Sequence, residues 1–180
     1  MLKHTSIGNG PPIVLLPSML GTIDSEWRNY MKPIADLGYT VIAMDWPGHA
    51  QSDMTKSFTF RVLTEELEAL FQSLKTEPAV IFGYSMGGYG VLAAAGATLD
   101  PAGGLVSRVP GGLLQPFARG GALSSALVAP AVKAVVAIAP AGGAFGAFGA
   151  AGLAGIKSPL LLIAGDHDNT VDYASGARAY

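Results

Sequence analysis

Cysteine is absent from this 180-residue sequence, and charged side chains make up only 13% of it. Without cysteine there is no disulfide framework, no thiol nucleophile and no cysteine-ligated metal site. The 11 basic and 13 acidic residues nearly balance, and no basic run occurs, so we expect no nucleic-acid partner. The length suits one domain that spans residues 1–180.

A secretory signal is also missing from the N-terminus, so we expect a cytoplasmic location. Residues 134–156 carry no charge and are numerous enough to span a bilayer. Pro140 and the many glycines after it argue against a continuous helix there. We therefore interpret the stretch as a buried strand, a flexible loop and a short helix, and we expect no membrane partner.

Short apolar runs alternate with helical patterns along the chain. Predicted strands cover residues 13–16, 40–44, 79–82, 132–139 and 159–164. Predicted helices cover residues 24–37, capped by Asp24 or Ser25, and residues 60–75 and 173–180. An edge strand within residues 1–6 is followed by a predicted hairpin turn at residues 8–10. This order predicts an α/β fold, with a mostly parallel sheet and helices on both faces.

The third of these runs leads into G-Y-S-M-G at residues 83–87, which small residues follow. Ser85 would lie on a sharp turn between strand and helix, where side chains two positions away on either side would clash. Glycine at both positions fits that turn. The turn would also bring the hydroxyl to a helix N-terminus, where backbone N–H groups stabilise an oxyanion. With 24 glycines in the chain, only this strand–turn–helix context gives the motif weight.

Together with D-W-P-G-H-A-Q-S at residues 45–52, this motif resembles the α/β-hydrolase family. The family's loop typically reads D-x-P-G-H-G-x-S, and Ala50 replaces its second glycine. The resemblance implies a serine hydrolase that acts on a small carboxylic ester or lactone and needs no cofactor. Residues 109–168 are similar to predicted dienelactone hydrolase-like esterases, although dienelactone hydrolase uses cysteine where this chain has Ser85.

The resemblance also implies roles for four residues. Ser85 would be the nucleophile, and the backbone N–H groups of Met86 and Met19 would hold the oxyanion. Met19 is assigned by matching residues 17–19 to the family's H-G-x loop. Asp168 matches the acid of the family's G-x-x-D pattern, with Asp166 as its competitor.

A catalytic histidine is the missing part. The chain has only His4, His49 and His167, and the family places its histidine after the acid and one further strand. The resemblance thus implies a chain that is incomplete at its C-terminus, lacking the last strand, the histidine and the final helix, with impaired activity. A non-catalytic binding module and an inactive fragment are the alternatives.

Two features of the surface follow from the same interpretation. Residues 101–121, rich in glycine and proline, form either a short lid or a surface loop, and residues 140–156 leave no room for a cap domain. A missing last strand would leave an open sheet edge, which favours self-association.

Overall fold

Six strands and five helices are present in the computed structural model, which describes residues 2–55, 60–75 and 79–180. The strands are β1 (His4–Ile7), β2 (Pro12–Leu16), β3 (Thr40–Met44), β4 (Val80–Tyr84), β5 (Ala134–Ile138) and β6 (Leu160–Ile163). The helices are α1 (Arg28–Ala35), α2 (Phe60–Leu74), α3 (Met86–Ala94), α4 (Gly104–Arg108) and α5 (Ala150–Leu153). Strands alternate with helices and most pair in parallel, which confirms the predicted α/β class.

Two compact units divide the chain, Met1–Ile81 and Phe82–Tyr180. In the first unit the strand order is β1-β3-β2, with β2 parallel to β3 and β1 antiparallel to it. Strand β4 begins in the first unit and ends in the second, where the order is β4-β5-β6 and β5 is parallel to β6. The single domain predicted for residues 1–180 stays a prediction.

The predicted hairpin turn at residues 8–10 is wrong. Strands β1 and β2 both pair with β3, one on each side, so they are not neighbours. The linker between them passes the start of β3, where Thr40 N–H donates to the Pro11 carbonyl and Gly10 N–H donates to Thr40 Oγ1. Gly8 and Gly10 lie so close to the backbone of residues 38–39 that a Cβ at either would clash. Gly8 and Gly10 therefore allow the linker to cross close to the backbone before β3, and they do not form a tight turn.

Helix α2 covers β3 with the apolar face that its sequence predicts. Leu70 is buried together with Met44 of β3 and Leu2, and Leu67 and Leu74 pack against the same cluster. These leucines recur at helical spacing, so one face of α2 is apolar over residues 67–74. The helix predicted for residues 60–75 is therefore confirmed.

The first helix begins earlier than predicted. A π-helical turn, Ile23–Trp27, precedes α1, and Thr22 is its N-cap in place of Asp24 or Ser25. Thr22 Oγ1 accepts from Ser25 N–H, and Ser25 Oγ accepts from Thr22 N–H, which makes a capping box. The helix stops before Gly38, as predicted, because Gly38 adopts a φ of +93° that favours glycine.

The chain end also differs from its prediction. Residues 173–180 form consecutive turns and not a helix. Asp172 has a φ of +56°, and its carboxylate accepts from Ala174 N–H and Ser175 N–H. A Cβ on Gly143 would overlap the backbone of Gly176, so the segment packs closely on the loop after β5.

Residues 134–156 contain β5, a 3-10 turn (Gly143–Phe145) and α5, so the strand and the short helix interpreted from the sequence are both present. Throughout the described ranges, we find no helix with the length and apolar character needed to cross a bilayer.

The glycine at every third position of residues 143–155 is not a sign of a flexible loop. From residue 146 on, these glycines face residues 96–104, and a Cβ on Gly149 would lie 2.7 Å from Asp100 Oδ2. A Cβ on Gly152 would overlap the Thr98 carbonyl, and one on Gly155 would overlap the Gly96 carbonyl. Backbone hydrogen bonds lie between the same segments, from Thr98 N–H to the Gly152 carbonyl (3.2 Å) and from Asp100 N–H to the Ala147 carbonyl (2.9 Å). The repeat is therefore a packing surface.

Gly152→Ala tests this packing. Helix propensity alone would make alanine in α5 stabilising by about 1 kcal/mol. We expect instead a loss of about 1–3 kcal/mol in the free energy of unfolding, because the new methyl group has no space. Gly90→Ala is the matched control, since Gly90 is also helical and a Cβ there meets nothing within 4 Å. Denaturant unfolding of both variants is the measurement, and a stabilised Gly152→Ala would contradict the packing.

Candidate active site

Ser85 occupies the turn between β4 and α3 and has the strained backbone that the sequence predicts. Its φ of 53° and ψ of −109° match the first central position of a type II′ turn, which glycine normally fills. Its N–H donates to the Ile138 carbonyl at 2.9 Å, and its carbonyl accepts from Ala141 N–H (2.9 Å) and Tyr89 N–H (3.0 Å). Strain of this kind costs about 1–3 kcal/mol and persists only where the surroundings over-determine it.

Close backbone contacts around the turn require glycine. A Cβ on Gly83 would overlap the Gly87 carbonyl, which confirms the predicted need for glycine two positions before the serine. Sequence reasoning missed a further glycine, Gly88, where a Cβ would lie 2.9 Å from the Pro140 Cα. The paired glycines after Met86 were the available signal. Gly88 therefore lets α3 approach the loop that follows β5.

Three strands of the second unit end at one edge. The N–H of Ser85, directly after β4, donates to Ile138, the last residue of β5. The N–H of Ala139, directly after β5, donates to Ile163, the last residue of β6, at 2.7 Å. Ser85 and the loop that carries Asp168 therefore leave the sheet at the same edge, two strands apart. In open α/β sheets this edge is where ligands bind.

Met86 begins α3, so its N–H belongs to the first turn, where no intrahelical partner exists. The helix dipole adds a partial positive charge at the same place. Met19 lies in the first unit, in the loop after β2. Among the described residues its N–H has no hydrogen-bond partner. Both N–H groups are free to donate, as their predicted role requires, although that role itself stays a prediction.

Asp168 is partly buried and caps a turn. Its Oδ1 accepts from Thr170 N–H at 2.8 Å and from Val171 N–H at 3.1 Å. Asp166 instead pairs with its neighbour His167, with 2.7 Å between Oδ1 and Nδ1, and side-chain exposures of 78% and 94%. The structure thus gives Asp168 the more enclosed carboxylate of the two. Which of them is the acid stays a prediction.

The hydrogen-bond contacts described for the three histidines do not include Asp168. His4 is on β1, with its Nδ1 3.5 Å from the Leu2 carbonyl. His49 follows β3, with its Nδ1 3.0 Å from the Pro47 carbonyl. His167 lies on the surface, where its Nδ1 contacts Asp166 Oδ1. Within the part of the chain that the structure describes, no histidine hydrogen-bonds to Asp168.

An aromatic cluster next to the turn has no sequence signal. Tyr89, one helical turn after Ser85, stacks on Phe148 with ring centroids 5.1 Å apart, and Phe148 meets Tyr180 edge-on at 6.1 Å. The Tyr180 hydroxyl is buried and has no hydrogen-bond partner among the described residues. Burial, assisted by the nearby Tyr89, raises the pKa of Tyr180 to about 12. The cluster joins α3, the loop after β5 and the terminal segment.

The predicted lid region is anchored at both ends. Residues 101–121 contain α4 and two 3-10 turns, Pro110–Gly112 and Gln115–Phe117. Val106 and Ala118 are buried, and Arg119 N–H donates to the Leu99 carbonyl at 2.8 Å. Leu113, between these anchors, is 70% exposed. The lid function stays a prediction.

Comparison with known proteins gives one family match. The family model described as alpha/beta hydrolase fold matches residues 11–128. Similar curated proteins include the AB hydrolase superfamily protein YfhM of Bacillus subtilis, 34% identical over 83 residues, which cover 44% of this chain and 29% of that protein. Another is 3-oxoadipate enol-lactonase 1 of Acinetobacter baylyi, 32% identical over 83 residues, covering 44% of this chain and 31% of the relative.

Solved structures share the fold. The enol-lactonase from Burkholderia xenovorans LB400 superposes with a TM-score of 0.52 at 23% identity, covering 78% of this chain and 44% of its own. A marine microorganism esterase gives a TM-score of 0.52 at 20% identity, with coverages of 79% and 42%. The chain thus spans less than half the length of these relatives.

The strain at Ser85 is testable by substitution. Because glycine adopts this backbone freely, Ser85→Gly should be more stable than Ser85→Ala by about 1 kcal/mol. At Ser107, within α4, the order should reverse, since glycine in a helix is less stable than alanine by about 1 kcal/mol. Thermal or denaturant unfolding of the four variants measures both differences. Equal stability of Ser85→Gly and Ser85→Ala would show that the turn is unstrained.

Proposed function

Because the chain belongs to the α/β-hydrolase fold family, we propose that Ser85 is the nucleophile of a serine hydrolase acting on a carboxylic ester or lactone. The observation that carries the proposal is the backbone of Ser85, held at φ 53° by three hydrogen bonds directly before a helix. Such a turn presents the hydroxyl at the carboxyl edge of the strands, with N–H donors beside it. The relatives' names, an enol-lactonase and an esterase, support the substrate class.

In the proposed reaction Ser85 Oγ attacks the acyl carbon and the carbonyl oxygen becomes an oxyanion. The Met86 N–H is proposed to donate to it, which lowers the barrier because charge develops there. The role of the Met19 N–H stays a prediction from the sequence. The alcohol leaves with a proton, and an acyl-enzyme remains on Ser85. Water then attacks the ester carbon, and the carboxylic acid and the free serine form.

A general base must take the serine proton, and we assign none of the three histidines to this role. His4 and His49 have Nδ1 beside backbone carbonyls, and His167 faces solvent with Asp166. Asp168 is proposed to be the acid that orients a histidine. Without that histidine the hydroxyl keeps its proton near neutral pH. The narrower likeness to dienelactone hydrolase-like esterases stays a prediction.

The nucleophile is tested with a fluorophosphonate, used at high concentration and for long times because no base is assigned to Ser85. Slow labelling of the parent chain at Ser85 is expected, and Ser85→Ala should abolish the label while keeping the fold, because alanine fits the same turn. Ser107→Ala is the control and should label like the parent, since Ser107 is exposed on α4. Intact mass and peptide mapping are the measurements. A label that survives in Ser85→Ala would remove Ser85 from the role.

Turnover separates the hydrolase from the alternative, a non-catalytic binding module. Removal of the histidine from a serine triad lowers kcat by about 10⁶. We therefore expect near-background hydrolysis of a p-nitrophenyl ester by residues 1–180, with about 10³ over water left from the oxyanion donors. A fast rate that Ser85→Ala abolishes would contradict this and would make His49 or His167 the base. A residual rate that Ser85→Ala leaves unchanged would favour the binding module.

A further inference from the structure

Charge is distributed unevenly along the second unit. Residues 101–165 contain no aspartate or glutamate, whereas four basic residues lie among them, Arg108, Arg119, Lys133 and Lys157. The rest of the chain carries all 13 acidic residues and only seven of the 11 basic ones. Such an asymmetry is typical of proteins that contact a negatively charged surface, either nucleic acid or a membrane.

Large apolar side chains are exposed in the same part of the chain. Leu113 is 70% exposed, Phe145 57% and Leu123 45%. Single exposed apolar side chains are common on protein surfaces. A group of them that lies together with polar neighbours instead marks a site of interaction with a protein or a membrane. The contacts between these segments therefore decide whether the three side chains form such a group.

Gly104, at the start of α4, brings Arg108 and Phe145 together. A Cβ on Gly104 would lie 2.9 Å from the Phe145 carbonyl oxygen and 3.7 Å from Arg108 Cζ. The turn Pro110–Gly112 packs on α4 and leads directly to Leu113. Arg108 therefore lies between Phe145 and the turn that carries Leu113.

Arg119 and Leu123 lie on the segment that follows. Gly121 N–H donates to the Ala118 carbonyl at 2.8 Å, so Arg119 is at the tip of a turn. Leu123 N–H donates to the Pro116 carbonyl at 2.7 Å, which folds Leu123 back onto the residues before this turn. The second arginine and the second leucine are thus held on one compact segment.

We call Arg108, Leu113, Arg119, Leu123 and Phe145 the basic surface. In the described ranges, neither of its guanidinium groups pairs with a carboxylate, and both arginines are exposed. Both basic residues of α1, in contrast, pair with acids one helical turn away. The basic surface therefore combines two unpaired cations with three exposed apolar side chains.

We propose that the basic surface docks on an anionic lipid bilayer. Its arginines attract the negative head groups, and its apolar side chains enter the boundary between head groups and acyl chains. A bilayer fits better than nucleic acid, because only the bilayer has an apolar layer in which leucine and phenylalanine are buried. Contact with a membrane surface needs no spanning helix. This inference therefore replaces the expectation of no membrane partner, which concerned a spanning segment, and it does not rest on the proposed function.

Sedimentation with lipid vesicles tests this contact. The partition coefficient of the 180-residue chain is measured on vesicles of phosphatidylcholine alone and on vesicles that also contain phosphatidylserine. Each arginine close to an anionic surface contributes about fivefold, so we expect binding to the second kind to be roughly 25-fold stronger. High salt should remove most of this difference, because it screens exposed charges.

Paired variants separate the basic surface from the net charge of the chain. Arg108→Gln combined with Arg119→Gln removes two cations and should lower the partition coefficient on anionic vesicles by roughly 25-fold. Arg28→Gln combined with Lys32→Gln removes the same charge from α1. This control pair should match the parent, because both residues are paired with acids and lie outside the basic surface.

The apolar part of the contact has a matched pair of its own. Leu113→Ser should lower the partition coefficient by about fivefold or more, because the exposed part of the leucine is no longer buried in lipid. Leu37→Ser is the control, since Leu37 is 75% exposed in the first unit and should not contact the bilayer. Unfolding midpoints are measured for every variant, and Leu123→Ser serves if Leu113→Ser does not fold.

Four results would overturn the inference. The first is that the parent binds neither kind of vesicle. The second is that binding to anionic vesicles persists unchanged in the arginine pair and in the leucine variant. The third is that the control pair on α1 loses binding as strongly as the arginine pair, because net charge would then explain the effect. The fourth is that the chain binds a single-stranded oligonucleotide and not the vesicles, which would make nucleic acid the partner.

Discussion

The backbone of Ser85 is the constraint on which the second unit depends. Its N–H and carbonyl are bonded to β5, to the loop after β5 and to α3. Three such bonds contribute roughly 1 kcal/mol each, which is enough to offset strain of about 1–3 kcal/mol. The turn is therefore stable only while the positions of β4, β5 and α3 relative to one another are kept. Removing any one of them would release the serine into an ordinary conformation.

Small residues make those places possible. Gly83 and Gly88 let α3 close over the end of β4 and approach Pro140. The glycines from residue 146 to 155 do the same for α5 and residues 96–104. Both sets replace side-chain packing by direct backbone contact. The many glycines of the second unit are thus explained by close contacts between backbone segments.

Local patterns in the sequence predicted much of this. Five apolar runs gave five of the strands, and the motif at residues 83–87 predicted the strained turn, because strand, turn and helix are adjacent in the chain. Features that join distant residues were missed. The crossing at residues 8–10 and the packing of Gly152 against Thr98 each depend on residues that are distant in the sequence, which a local pattern cannot identify. The helix predicted for residues 173–180 is wrong, since turns follow Asp172 instead.

The central claim is that the strained turn makes Ser85 the acyl acceptor. It is tested most directly by locating the acyl group after the 180-residue chain meets p-nitrophenyl acetate and is quenched with acid. The leaving group is good and the proposed function assigns no base to deacylation, so we predict that an acetyl group accumulates on the peptide that carries Ser85, and that Ser85→Ala removes it. An acetyl group found only on other residues, or unchanged in Ser85→Ala, would contradict the account.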